Sequence, residues 1–251
     1  MAKEPPADDL QRHVHARSGE VAPYVLLPGD PARAERIAEV FAESTRVAHN
    51  REFTLFTGTT QRGSPISVCS TGVGGPSAAI AIEELARIGA THFIRVGSAG
   101  ARQPEIPIGT VVIVTAAYRG EGTSSAYLPL PFPAVADFEV TSTLIEAARS
   151  RYEEVHSGIV FTRDAFYQQD RALNQQLTEA GVVASEMECA TLFVAGSVLR
   201  VKVGAVLGTD SNIWLKEQPS PAQKQELYML AEPRAIAVAV DAVDLLHQRL
   251  P

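Results

Sequence analysis

The stretch Ser70-Thr71-Gly72-Val73-Gly74-Gly75-Pro76-Ser77 decides how this chain reads. An apolar run over 65–69 precedes it and an amphipathic stretch over 78–88 follows, which predicts a strand, a glycine turn and a helix. Its three glycines carry no Cβ, so backbone N–H groups can crowd around an anion or a small ion. Pro76 has the fixed φ suited to a first helical turn. A second glycine turn, Gly97-Ser98-Ala99-Gly100, is expected after a strand over 91–96 that carries Arg95 near its end. A third, Pro28-Gly29-Asp30-Pro31-Ala32-Arg33, follows a strand over 23–27. Glycine turns and arginines thus recur at the carboxyl ends of predicted strands, where open α/β sheets bind their ligands. Arginine beside backbone N–H groups is the chemistry of phosphate capture.

Outward from these turns, strand and helix signals alternate. Asp30 as N-cap and Pro31 as first helical residue predict a helix to about Phe41. Runs at 53–60 and 66–70 read as a hairpin, and 93–96 and 110–116 as further strands, the latter a nearly continuous Val/Ile run of the doubly covered type. Residues 118–136 hold Gly120, Gly122, Pro129, Pro131 and Pro133 with little periodicity, and read as a long irregular segment, either disordered or a functional loop that closes over a site. Helices are expected over 140–151, 170–180, 187–199 and 221–250, the last with a kink at Pro233, and strands over 155–161, 182–184 and 201–207. No internal repeat or linker stands out. The reading is one domain, 1–251, of α/β class with a mixed sheet covered on both faces.

Composition narrows the function. Hydrophobic residues make up 45% of the 251, charged residues 20%, and the net charge is −7 with no basic run, which argues against nucleic-acid or anionic-membrane surfaces. The two cysteines, Cys69 and Cys189, read as small buried hydrophobes. The first eleven residues have no apolar core of a secretory leader, and no run of about eighteen apolar residues exists, so the expectation is a soluble cytoplasmic protein. Gly72-x-Gly74-Gly75 departs from G-x-G-x-x-G, and Arg95 stands where a dinucleotide fold places an acid, about twenty residues on. No phosphate-loop lysine motif, zinc-binding helix motif, Cys/His ligand set or nucleophile elbow is found.

Several segments together resemble the nucleoside phosphorylase family of the uridine and hexameric purine type. They are Leu26-Leu27-Pro28-Gly29-Asp30-Pro31-Ala32-Arg33, Asn50-Arg51-Glu52-Phe53, the 70–77 turn and Arg95-Val96-Gly97-Ser98-Ala99-Gly100. Phe132-Pro133-Ala134-Val135-Ala136-Asp137-Phe138-Glu139, Asp164-Ala165-Phe166-Tyr167, Glu186-Met187-Glu188-Cys189-Ala190-Thr191-Leu192 and Gly208-Thr209-Asp210 follow in the family's order. The resemblance implies a three-layer α/β/α sandwich and phosphorolysis, in which nucleoside and phosphate give free base and ribose 1-phosphate. No cofactor is implied beyond phosphate as co-substrate.

Residue by residue, Gly29, Arg33, Arg95 and Ser98 match the family's phosphate site, and Arg51 matches an arginine donated by a neighbouring subunit. Glu188 matches the acceptor of the ribose hydroxyls, with Met187 under the sugar. Glu186 is either a ligand contact or an acid placed at a helix start. His13, with His15 as competitor, matches a histidine that reaches a neighbour's ribose, and Phe166 an aromatic against sugar or base. Glu52 and Ser77 match positions that hold a monovalent cation between subunits in some members. A homo-oligomer follows, a dimer at least and usually a hexamer. By the same resemblance, Arg95→Ala is expected to abolish phosphorolysis and leave the fold intact.

The base is read two ways. Gln169 and Arg171 follow the Phe-Tyr pair and match uracil-reading residues, or form the first turn of an exposed helix. Asp210 matches the acid that assists purine departure at N7, or is a turn aspartate capping its own backbone. Uridine is the expected substrate, with purine or dual specificity as the alternative. A nucleosidase or a non-catalytic nucleoside-binding protein of the same fold are the competing classes.

Overall fold

The computed structural model describes residues 10–168 and 170–249, which leaves the Gln169 expectation outside the described residues. The elements run β1 (Tyr24–Leu27), α1 (Pro31–Ala38), β2 (Glu43–Asn50), β3 (Phe53–Thr59), β4 (Pro65–Cys69), α2 (Gly75–Arg87), β5 (His92–Ala101), β6 (Val111–Gly120) and α3 (Thr123–Tyr127). They continue with β7 (Ala134–Val135), α4 (Phe138–Arg151), β8 (His156–Arg163), α5 (Arg171–Glu179), β9 (Ala184–Glu186), α6 (Cys189–Leu199), β10 (Lys202–Asn212) and α7 (Pro221–Gln248). Among the described residues no helix is long and apolar enough to cross a membrane.

Local chemistry starts the helices. The Asp30 carboxylate accepts the Ala32 and Arg33 N–H groups at 2.9 and 3.2 Å and opens α1, a cap worth about 1 kcal/mol. Asp137 and Asp170 cap α4 and α5 in the same way, and Ser220 with Gln223 forms a capping box on α7. Gly74 takes φ 94° just before α2, a conformation open to glycine and strained for other residues. Pro233 lies inside the continuous helix α7.

The ten strands form one mixed sheet. β1 lies between parallel neighbours β4 and β5, and β3 and β2 extend the β4 side antiparallel. On the other side β5 pairs in parallel with β10, β10 antiparallel with β6, β6 in parallel with β8, β8 in parallel with β9, and β9 antiparallel with β5. These five strands therefore close into a ring. One core packs α2 and α6 against the sheet through Ile82, Leu85, Leu192 and Phe193. The other packs α1, α4 and α7 through Ile37, Leu144, Val238 and Val243. The layers are helix, sheet, helix.

The structure corrects several sequence readings. Gly97–Gly100 is not a turn but the second half of β5, because β10 offers it partners along its length: Gly97 pairs with Leu207 and Ser98 with Gly208. A Cβ on Gly97 would stand 2.8 Å from both an Arg95 guanidinium nitrogen and Leu207, so glycine here makes room for an arginine. β10 likewise runs on to Asn212, with a bulge between Thr209 and Ser211 that holds Asp210. Asp210 is thus a strand residue rather than a turn residue. β9 lies over 184–186, not 182–184. Residues 118–136 are built rather than irregular: they contain the end of β6, α3 and β7. The Arg119 guanidinium ties that segment down by donating to the carbonyl oxygens of Leu128, Pro129 and Phe132 at 2.6–2.8 Å.

Candidate active site

A cavity of about 660 Å³ opens where the carboxyl ends of β1, β4, β5, β8, β9 and β10 meet. Gly29, Arg33, Arg95, Ser98, Phe166, Glu186, Met187, Glu188 and Asp210 line it, so the fold gathers residues spread over some 180 positions of sequence. No residue of 118–136 lines it, and the expected lid is therefore not part of this wall.

The arginines that resemble a phosphate clamp are both buried. Arg33 donates through Nε to Glu232 at 2.8 Å, through Nη1 to the Val96 carbonyl at 3.2 Å, and through Nη2 to the Tyr228 hydroxyl. Glu232 also accepts Arg36 Nε at 2.5 Å. Although burial opposes the ionised form, its two arginines hold the Glu232 carboxyl below the usual carboxylate range. Arg95 donates through Nε to Glu186 at 3.2 Å and pairs through Nη2 with Glu188. Burial alone would lower the Arg95 pKa, but Glu188 and Glu186 raise it, so it stays charged. Its third nitrogen, Nη1, is buried without a partner among the described residues, a donor left over for an anion.

Glu186 and Glu188 divide their work. The Glu186 carboxylate accepts the Glu188 and Cys189 N–H groups at 2.7 and 2.9 Å and the Thr162 hydroxyl at 2.5 Å. With Arg95 as a further donor, it is occupied at the N-terminus of α6, the helix-start reading of the sequence. Glu188 accepts the Gly74 N–H at 2.5 Å, so the 70–77 turn meets the site through this carboxylate. Burial pushes the Glu188 carboxyl up from its ordinary range, and Arg95 partly offsets this. Met187 lies between the two acids on the cavity wall.

Asp210 accepts the Ser211 hydroxyl at 2.7 Å, and burial raises its carboxyl from the ordinary range. Arg33 and Lys224 pull against this rise. Phe166 and Tyr167 project at the cavity mouth with rings 5.1 Å apart, edge to face. Arg171 is not brought to the cavity; it is the exposed first residue of α5, behind its cap Asp170. Two arginines absent from the sequence reading of the site line the wall instead, Arg102 and Arg163. Tyr228 and Glu232, which hold Arg33, were missed as well, because they lie about 195 residues away on α7. The sequence signal for Arg102 was its place in Gly100-Ala101-Arg102-Gln103-Pro104, directly after an arginine-bearing strand.

Other expected site residues lie away from the cavity of their own chain. Arg51 is exposed at the two-residue tip of the β2–β3 hairpin, with φ 54°. His13 is held by Glu84, which accepts its backbone N–H at 2.8 Å and contacts its Nδ1 at 2.6 Å. Ser77 donates to Glu52 at 2.8 Å, which ties the tip of that hairpin to the 70–77 turn.

Comparison with known proteins shows the same fold and a family match over most of the chain. The phosphorylase superfamily profile matches residues 23–244. The chain is similar to a uridine phosphorylase of Treponema pallidum, at 45% identity over 95% of each chain. It is similar also to a guanosine phosphorylase of Halorubrum lacusprofundi, at 36% identity over 98% of this chain and 100% of the relative. Among solved structures, a uridine phosphorylase from Vibrio fischeri ES114 superposes with a TM-score of 0.87 at 33% identity, covering 96% of this chain and 100% of the other. With paired arginines and carboxylates gathered at the strand ends and a match running nearly end to end, this chain belongs to the phosphorylase superfamily.

Proposed function

We propose that this chain is a nucleoside phosphorylase that converts uridine and phosphate to uracil and ribose 1-phosphate. The observation that carries the reading is the Arg95 cluster: a buried guanidinium with one unpaired N–H donor, set between two carboxylates on a cavity large enough for nucleoside and phosphate. Arg33, Arg95, Ser98 and the Gly29 backbone hold the phosphate against C1′ of the sugar. The ribose lies on Met187 with its 2′- and 3′-hydroxyls donating to Glu188, and the base lies toward Phe166. Phosphate bound this way is oriented for attack, and its charge stabilises the cationic sugar as the glycosidic bond opens. Phosphate is the co-substrate and no other cofactor is needed.

The working form is a homo-oligomer, a dimer at least and a hexamer by family habit, in which Arg51 and His13 enter a neighbour's site. Their place outside their own cavity supports this. A monovalent cation at Glu52 and Ser77 would lie at the same contact. The setting is nucleoside salvage in the cytoplasm.

Purine or dual specificity is the second reading, favoured by Asp210 in the cavity wall with its pKa raised, and by the guanosine phosphorylase relative. The test is base release from uridine, thymidine, inosine and methylthioadenosine, each with and without phosphate. Phosphate-dependent cleavage of uridine, and not of inosine or methylthioadenosine, is expected. Cleavage of inosine at a comparable rate would replace the uridine assignment with the second reading, and phosphate-independent release would make the chain a nucleosidase.

A further inference from the structure

Arg102 is 2% exposed and lines the cavity, yet neither it nor Arg163 makes an ion pair among the described residues. Neutral acceptors hold the Arg102 guanidinium: Ser185 Oγ at 2.7 Å, Asn174 Oδ1 at 2.7 Å and the Asn174 carbonyl at 3.1 Å. Its Nε is buried with no hydrogen-bond partner among the described residues. Arg163 donates one long bond to the Gln168 carbonyl, 3.4 Å, and lies over the Phe166 ring at 5.8 Å. Burial, then the neighbouring Arg163, brings the Arg102 pKa down to about 10, so its guanidinium is still charged at neutral pH, and burial also lowers the pKa of Arg163. Asp210, on the same wall, accepts the Ser211 hydroxyl, and no ion pair joins it to either arginine among the described residues. A buried cation without a counter-charge is costly unless something negative joins it.

We propose that Arg102 and Arg163 take up negative charge on the departing base, and so select nucleosides whose base leaves as an anion, the pyrimidine imide class. The inference rests on the phosphorolysis reading. In that step a phosphate oxygen bonds to C1′ while the bond from C1′ to the ring nitrogen breaks. The electron pair of that bond goes to the base and spreads over its ring nitrogens and carbonyl oxygens. The proton that hydrogen phosphate gives up on forming the ester balances the one the base finally takes. Two guanidinium groups without a counter-charge beside the base lower the energy of this transient anion more than that of the neutral substrate, which is the condition for catalysis. They fill the place that the resemblance assigns to Arg171.

The test compares the wild type with Arg163→Gln and Arg163→Lys on uridine and 5-fluorouridine at saturating phosphate. Arg163 is partly exposed and carries one weak bond, so its replacement leaves the fold unstrained. Arg163→Gln is expected to lower kcat for uridine by about 10²-fold. The more acidic 5-fluorouracil leaves with less help, so its loss is expected to be only about tenfold. Arg163→Lys, which keeps the charge, recovers most of both. An equal loss on the two substrates, or none on either, overturns the assignment while leaving phosphorolysis standing. A wild type that cleaves neither substrate in the presence of phosphate removes the phosphorolysis reading itself, and the pair with it.

Discussion

The two ends of one cavity treat positive charge in opposite ways. At the end resembling a phosphate clamp, Arg33 is matched to Glu232 and Arg95 to Glu186 and Glu188. At the other, Arg102 and Arg163 have neutral acceptors and an aromatic ring for company. The first arrangement fixes geometry: each guanidinium is aimed before any ligand arrives, and its charge is partly cancelled. The second leaves field strength unspent. A dianion that must be gripped throughout the cycle suits fixed, balanced arginines. A charge that exists only while a bond breaks suits an end whose potential is uncompensated.

Arg95→Ala should separate the ends most sharply. Phosphate-dependent cleavage is expected to fall by at least about 10³-fold. The structure also revises the expectation that the fold is untouched, because the change strands two buried carboxylates. Urea unfolding should show a loss of about 3–5 kcal/mol. A variant of full stability would mean that Glu186 and Glu188 do not need their cation, and the contrast between the ends would collapse. Arg163→Gln comes next, with its dependence on the leaving base. Glu232→Gln keeps the shape but removes the charge behind Arg33 and Arg36. It is expected to raise the phosphate KM about tenfold and to change kcat far less, as initial rates at varied phosphate would show.

Glu188 gives a pH signature. Burial raises its pKa, so its protonated form survives above the usual carboxylate range. Only the carboxylate accepts two ribose hydroxyls. The acid limb of kcat/KM should therefore lie above that range and vanish in Glu188→Gln. The sign for stability is the reverse: a raised pKa favours the protonated fold, and that contribution is lost as pH rises through the raised value. Arg171→Ala, the smallest effect, should alter uridine cleavage less than twofold and stability by under about 0.5 kcal/mol. A large loss there would return the base end to the sequence reading.

What could be read from the sequence follows from how local each signal is. The starts of α1 and α2 depend on Asp30, Pro31, Gly74 and Pro76, all within a few residues of the helix they open. The alternation of apolar strands and amphipathic helices likewise fixed the layers. β2 escaped because Glu43–Asn50 is largely exposed and polar at the sheet edge, with no buried face to mark it. The run of β5 through Gly97–Gly100 escaped because glycine says turn locally, while β10 supplies its partners from over a hundred residues away. The phosphate-type residues sit beside glycines at strand ends and were visible. Arg102 and Arg163 look like surface charges in sequence, and only the meeting of β5, β9 and α5 buries Arg102, against Ser185 and Asn174.

The carboxylate at the start of α6 couples folding to chemistry in a way that can be watched. Glu186 receives the amide protons of Glu188 and Cys189 and, from the other side, the Arg95 guanidinium. Opening the first turn of that helix releases both amides and lets the arginine swing, so the same fluctuation that frays the helix disarms the clamp. Deuterium uptake at those two amides therefore serves as a built-in gauge of occupancy. It is expected to slow on addition of phosphate if that anion is held by Arg95, and it would report the state of the site without any turnover at all.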